Sequence, residues 1–563
     1  MPDLLAIDET SLALGLVLIL LFIAGIFLKP DSLVHPILLG RQSDVDKVRK
    51  KGESAIYRNY GTGLMGRLPG RPSKEVQVLS DLLKPDFEGA RFLWSHEVSN
   101  VEILRRVAAL GAGLVNVAGL RERESNVLLL LNDGIEFIIT DLALASHSIP
   151  SFTLTSLTLL TAVLESHPPS AIVLHASFVS QVLELIIENH EFAQHTLIVV
   201  GDDGMPKNLD RYRNKVKILR WEDVEGEGSK LGGSASRAPA ESKDVFTVSF
   251  YEGGDNELKA TQFTHENLTA GVASMKFLLP FNAGISPADC IVSAFSLSTP
   301  YGRTLAYTAL YEGTSFATVK SASLYIVDEG NSRTVSEVLN VMQGNFPTPT
   351  ILFLTPQHLD FISSSILSQA KKSFLFFLAR RHKLAALQAG FISQDSFWDR
   401  FGFSSARNMV LRNMDRKIRA LIITSGVPAE NVTPSRLAIS VPLVHAHAHP
   451  AVAGPVFASH PQDFQVFPSV TGDRKNEESR FAKNAHVGPP VLNVEVKLIG
   501  LDDTSVVGGA KPVGEIVLRG PSVGKPLDEG RILPDGWIRI HESAMVQNNG
   551  TFKVQTSNEV LKT

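Results

Sequence analysis

Three histidines, His445, His447 and His449, are separated by single alanines. On an extended strand, residues i, i+2 and i+4 share one face, and three imidazoles on one face suit Zn²⁺. No carboxylate stands nearby to complete an obvious site, so no metal ligand is assigned. Cys290 is the one cysteine. A single thiol forms no internal disulfide and lacks the spacing of a thiolate metal site, so it reads as a small buried apolar residue.

The elements around these residues alternate. Val101 to Val117 carries apolar residues at helical spacing, and Phe178 to Ile187 does so again. Asn126 to Leu131, Ala171 to Leu174 and His195 to Val200 are short apolar runs suited to buried parallel strands. Strand, helix, strand in sequence predicts a doubly wound α/β layer. Glu225 to Lys243 is rich in Gly, Ser and Ala and predicts a mobile surface loop. Ser459 to Asn484 is a second polar, irregular stretch. Beyond Val491, VLNVEVKLI and GEIVLRG alternate like antiparallel strands.

Hydrophobic residues make up 44% of the 563, charged residues 20%, and the formal net charge is −4. There is no basic surplus, so nucleic acid is not an expected partner. The N-terminus departs from this ordinary balance. Ser11 to Leu28 is a run of 18 residues without a charge, near the lower length limit for a helix that crosses a bilayer. Asp3, Asp8 and Glu9 precede it, which disfavours a cleaved signal peptide, and Lys29, Arg41, Lys47, Arg49, Lys50 and Lys51 follow it. By the positive-inside rule the tail 1–10 is lumenal and the rest is cytosolic. The expected location is the endoplasmic reticulum, with lipid droplets or peroxisomes as alternatives.

Several segments carry a family resemblance. RVAALGAGL lies within Trp94 to Leu114, and Thr247 to Asn267 reads TVSFYEGGDNELKATQFTHEN. AFSLSTPYGR follows at Ala294, LIITSGVP at Leu421, HVGPP at His486, GEIVLRGPSV at Gly514 and DGW at Asp535. In this order the chain resembles the AMP-binding, or adenylate-forming, superfamily, most of all its long-chain fatty acyl-CoA synthetases. The resemblance implies an α/β fold: an N-terminal domain of two doubly wound subdomains plus a small β-rich one. The expected division is a tail 1–10, a transmembrane anchor 11–28, a juxtamembrane segment 29–75, an α/β core 76–490 and a β-rich part 491–563.

The family's chemistry joins a carboxylate to the α-phosphate of ATP, with Mg²⁺, and then passes the acyl group to coenzyme A. By the resemblance, Gly253, Gly254, Lys259, Thr264, His447 and Glu542 occupy nucleotide-binding positions. Much of the pattern around them is altered. Glu252, Gly254 and Asp255 stand where the phosphate loop has Ser and two Thr, and Glu257 adds a third carboxylate. Carboxylates there oppose a polyphosphate, at about 1 kcal/mol or more for each uncompensated pair. Pro450 and Ala451 replace a nucleotide-contacting Thr and a metal-ligating Glu; Pro450 has neither hydroxyl nor N–H. Glu542 takes the place of a ribose-binding Asp, and Ser557 that of an Arg. Thr299 and Gly302 replace the His and Glu of another motif. Thr264 has a plain alternative role as a helix cap. The family runs on for roughly a hundred residues past the position of Thr563, so its lid domain is expected to be missing.

These departures predict a catalytically degenerate synthetase homologue with no catalytic residue and no cofactor. An active fatty acid–CoA ligase using ATP and Mg²⁺ is the alternative. The expected partners are membrane lipid at the N-terminal helix, a fatty acyl ligand and another protein chain. The acyl ligand is expected along Ile351 to Leu354 and the helix after Lys371, which are strongly apolar.

Overall fold

The computed structural model describes residues 8–27, 33–45, 49–63, 70–85, 87, 89–188, 195–202, 216–231, 239–254, 257–323, 335–342, 345–392, 394–465 and 481–555, with side chains of the first stretch through Leu20. Two eight-stranded, mainly parallel sheets and one six-stranded antiparallel sheet make up the fold.

In the first large sheet, Val245–Glu252, Ser151–Leu154, Val127–Leu130, Ala171–His175, Thr196–Val200 and Lys217–Arg220 run parallel in that spatial order. Leu258–Thr264 and Lys525–Pro526 extend it antiparallel at one edge. The second sheet sets Leu443–Ala448, Ala420–Thr424, Ile351–Leu354, Cys290–Ser293, Ser315–Thr318 and Arg91–Leu93 parallel, with antiparallel strands at both edges.

These strands read as continuous apolar runs because both faces are covered. Leu129 and Val173 of the first sheet share one core with Ile291, Phe353 and Ile422 of the second. Leu128 and Leu174 point outward into a separate cluster, and Leu352 and Ile423 into another. The helices Ile135–Ser146 and Pro300–Glu312 contribute side chains to the shared core, and every residue of Ile135–Ser146 except Glu136 is buried. Thr299 caps the second of them, accepting from the Gly302 N–H at 3.1 Å. Gly302 is required because a Cβ there would overlap the Ser296 carbonyl oxygen.

The expected loop at 225–243 is corrected over its first part. Trp221–Lys230 is a helix packed on Asn100–Asn116, with Trp221, Val224 and Gly228 buried. Its small residues permit close helix contact. Residues 232–238 lie outside the described set, as do 466–480 of the second polar stretch.

The third sheet is built from both ends of the chain. Glu495–Ile499, Val513–Arg519, Ile538–Val546 and Phe552–Gln555 pair antiparallel, and Tyr57–Arg58 and Asp44–Val45 continue the same sheet. Part of the 29–75 segment is therefore a structural strand pair.

The expected span at 11–28 also needs correction. A helix forms over Glu9–Phe27, 19 residues, or about 28 Å against a hydrocarbon core of about 30 Å. Its first turn spends length on Glu9, Thr10 and Ser11. Among the described residues no helix is long and apolar enough to cross a membrane.

Candidate functional site

A cavity of about 410 Å³ opens where the three sheets meet. Its first wall is a hairpin. Val245–Glu252 turns back into Leu258–Thr264, with the Gly253 N–H donating to the Glu257 carbonyl at 2.9 Å. Strand alternation aims Tyr251 inward and leaves Glu252 and Glu257 exposed. Gly253, Gly254 and Lys259 line this side.

The second wall sits at the carboxyl ends of two parallel strands, where open α/β sheets place ligands. Ser425 and Gly426 follow Ala420–Thr424, and His449 and Pro450 follow Leu443–Ala448. Ser425 has φ +95°, a conformation that costs a side-chain-bearing residue of order 1–3 kcal/mol. The third wall comes from the antiparallel sheet, which brings Ile540, His541 and Glu542, and from the turn Glu529–Arg531 before its strand, which brings Arg531.

Arg531 is 2% exposed. Its guanidinium donates to the Tyr251 hydroxyl and, at 3.0 and 2.9 Å, to the Arg539 carbonyl. Among the described residues no carboxylate pairs with it. Its charge stays fixed, so with neutral oxygens as its described partners it places a cation at the cavity wall.

Glu542 is committed elsewhere. Its Oε2 lies 2.7 Å from His447 Nε2, both side chains being buried. Burial pushes the Glu542 carboxyl up, but the charge and hydrogen bond of His447, with a smaller share from His449, hold it below the ordinary range. Burial also pushes His449 down to about 4, so at neutral pH it is uncharged and the His447 contact carries the effect. His449 Nδ1 accepts from the Ala451 N–H at 3.0 Å, and its ring packs edge-on to Tyr251.

The structure thus brings Gly253, Gly254, Lys259 and Glu542 to one cavity, with His447 directly behind Glu542. Thr264 is elsewhere. It caps the helix His265–Lys276 in a reciprocal pair with Asn267, accepting at 3.3 Å while the Thr264 N–H donates at 2.9 Å. Pro450 lines the cavity, and Ala451 is fully buried. Asp255 and Ser557 lie outside the described residues.

The zinc geometry does not form. His445 neighbours Arg436, His486 and Asp463, with neither ring nitrogen hydrogen-bonded, and burial drives its pKa well down. His447 and His449 belong to the other neighbourhood. Among the described residues no group of three His, Cys, Asp or Glu is placed to hold a metal.

Arg531 escaped sequence reasoning altogether, while Tyr251, Ser425 and His541 lay inside or beside the motif stretches without an assigned role.

Magnesium, which the resemblance implies, finds no full set of side-chain oxygen ligands among the described residues of the cavity. It demands oxygen ligands at about 2.1 Å in octahedral array. The buried carboxylate of Glu542 is bonded to His447, Glu252 lines the cavity as one exposed carboxylate, and Pro450 and Ala451 offer no side-chain oxygen.

The sequence pattern of the AMP-binding enzyme family matches residues 90–526. A guinea-pig protein (Cavia porcellus), long-chain-fatty-acid–CoA ligase 1, is 23% identical over 372 residues, 63% of this chain and 47% of its own length. Fatty acyl-CoA synthetase A of Dictyostelium discoideum is 22% identical over 374 residues, 63% of this chain and 50% of its own. The chain therefore spans about half the length of the curated relatives it matches. Among solved structures, a long-chain-fatty-acid–CoA ligase from Archaeoglobus fulgidus superposes with a TM-score of 0.58 at 14% identity, covering 87% of each chain. An anthranilate CoA ligase bound to anthranoyl-AMP gives 0.58 at 15% identity, covering 86% of this chain and 78% of its own. These likenesses establish the α/β adenylate-forming fold.

Proposed function

The chain belongs to the AMP-binding enzyme family and is most like its long-chain acyl-CoA synthetases, and from that premise we propose that it is a degenerate member that binds an anionic ligand without adenylating it. The observation that carries the reading is the cavity wall. Adenylation requires concentrated positive charge, normally including a divalent ion, to offset charge that grows on the phosphates. Here the buried acid is consumed by His447, and proline and alanine stand where the resemblance places a hydroxyl and a metal-ligating carboxylate. Lys259 and Arg531 still supply cationic side chains at the cavity. A nucleotide phosphate or an acyl carboxylate satisfies Arg531 without a metal.

The test is binding of AMP and of ATP, each with Mg²⁺ and with chelator, beside an assay for acyl-adenylate and acyl-CoA from labelled palmitate. The expected result is nucleotide binding indifferent to Mg²⁺, weakened about tenfold or more in Arg531→Gln, with no acyl product. ATP-dependent acyl-CoA from the unmodified chain overturns the proposal in favour of an active ligase.

Membrane attachment belongs to the same proposal. Leu14 and Leu18, on one side of the helix Glu9–Phe27, are 65% and 59% exposed, and Leu16, on the opposite side, is 56% exposed. Such a surface is costly in water and favourable in lipid. Full-length chain that washes off membranes with alkaline carbonate counts against a stable anchor.

A further inference from the structure

The helix after Lys371 was expected to line an acyl tunnel. Instead, Phe376–Gln388 lies at the surface with its inner stripe Ala379, Lys383 and Leu387 buried. Phe377, 68% exposed, and Leu378 face outward with Arg381 one turn on. Phe374, 97% exposed, precedes the helix. Phe397 and Phe401, 61% and 57% exposed, stand beside it, with ring centroids 4.7 Å apart. Two contacts join these pieces. The Ser373 hydroxyl donates to the Phe401 carbonyl at 3.4 Å, and the His382 ring lies 6.2 Å from Trp398, itself 5.5 Å from Phe397.

The platform beneath is rigid. Buried Lys383 bonds Asp399 and Ser440, and buried Arg407 bonds Asp399 at 2.9 Å and Asp415 at 3.1 Å. The exposed phenylalanines are therefore held outward by a fixed frame.

We propose that this aromatic face, rimmed by exposed Lys371, Lys372, Arg381 and Arg400, docks on an anionic phospholipid surface. Three observations select that occupant. Aromatic rings beside basic side chains match the interface between acyl chains and charged headgroups. Asp395 is the one exposed acid from Lys371 to Arg400, so the rim is cationic and two copies facing each other would repel. The chain leaving the apolar helix Glu9–Phe27 arrives here, because the Leu33 N–H donates to the Gly390 carbonyl at 3.1 Å. Six residue steps hold the end of that helix within about 20 Å of Leu33, and so within about 25 Å of Gly390. Helix and face thus reach one bilayer together. The inference rests in part on the membrane attachment proposed for the helix Glu9–Phe27 and is independent of what the nucleotide cavity does.

Full-length chain is tested on vesicles of phosphatidylcholine and on vesicles with roughly a third phosphatidylserine. Binding should be at least about tenfold tighter with phosphatidylserine, and a Lys371→Gln, Lys372→Gln, Arg381→Gln variant should lose that preference. Where the N-terminal helix alone retains the chain on both vesicles, fluorescence decides. Lipids brominated near the headgroup should quench Trp398, and Trp398→Phe should remove the quenched fraction. An unquenched Trp398, or a neutralised variant that keeps its preference for phosphatidylserine, overturns the proposal and leaves the face to a protein partner.

Discussion

At the scale of single residues, burial outweighs residue identity. His265 is 1% exposed, accepts from the Leu79 N–H at 3.3 Å through Nδ1, and has no hydrogen-bond partner at Nε2. Burial pushes it, like His449, down to about 4. The unfolded chain therefore binds more protons than the folded one between about pH 6.5 and 4, and stability falls as pH falls through that window. By pH 5 each of the two should cost about 2 kcal/mol. Glu542 acts lower down: its carboxyl is held below the ordinary value, so its contribution persists at pH 5 and is lost only on further acidification. Urea midpoints at pH 7 and pH 5 measure this. His265→Asn, whose Oδ1 can take the place of Nδ1 as acceptor for Leu79, should shrink the difference, and an unchanged difference refutes the assignment. Ser425 makes a separate prediction. Its φ of +95° suits glycine, so Ser425→Gly should raise stability by about 1 kcal/mol in the same denaturation assay.

At the scale of elements, the buried strands and their connecting helices were legible, because continuous apolar runs of four or five residues carry the signature of a sheet covered on both faces. The Val127–Leu130 and Ala171–His175 strands and the Asn100–Asn116 helix lie within a residue or two of their expected bounds. The misreadings come from elements whose composition serves packing. Trp221–Lys230 looks loop-like because Gly226, Gly228 and Ser229 weaken helix propensity. Those small residues let it approach Asn100–Asn116 until a Cβ on Gly228 would overlap the Ala109 carbonyl oxygen, and one on Gly113 the Val224 carbonyl. Gly228→Ala should therefore cost about 2–3 kcal/mol, although the same change raises intrinsic helix propensity. A denaturation midpoint equal to or above wild type would show that the helices separate freely. The Phe376–Gln388 helix was misassigned for the opposite reason, since exposed aromatic residues look like core in a one-dimensional pattern.

At the scale of the whole molecule, the N-terminal segment and the last strands depend on one another. The Ser54 N–H donates to the Leu498 carbonyl at 2.8 Å, Lys497 pairs with Glu53 at 2.9 Å, and Arg58 pairs with Asp44 at 2.8 Å. Tyr57 also packs edge-on to Phe552. Removing residues 1–32 should leave this sheet intact, whereas removing 1–60 strips the edge that covers Glu495–Ile499. The longer truncation should lose the cooperative unfolding transition or aggregate, and the shorter should not. Equal behaviour of the two would show that the segment is dispensable. The same sheet carries His541 and Glu542 to the cavity and holds Arg531 through the Arg539 carbonyl, so its loss should also abolish nucleotide binding.

The sequence alone determined the family, the α/β class and the altered residues of the loop, because ordered short motifs and apolar periodicity are local properties of the chain. It also placed Gly253, Gly254, Lys259 and Glu542 at one cavity, although they come from different sheets, since a family's motif order carries tertiary information from its other members. What local pattern could not supply was direction. Whether Thr264 caps a helix or meets a phosphate, whether His445, His447 and His449 converge, and whether Glu542 is free or bonded to His447 depend on which way side chains point after the sheets pack. The pairing of Arg531 with Tyr251, 280 residues apart, was equally invisible. Only the folded chain brings such groups within hydrogen-bond reach, where burial and nearby charge decide what each can do.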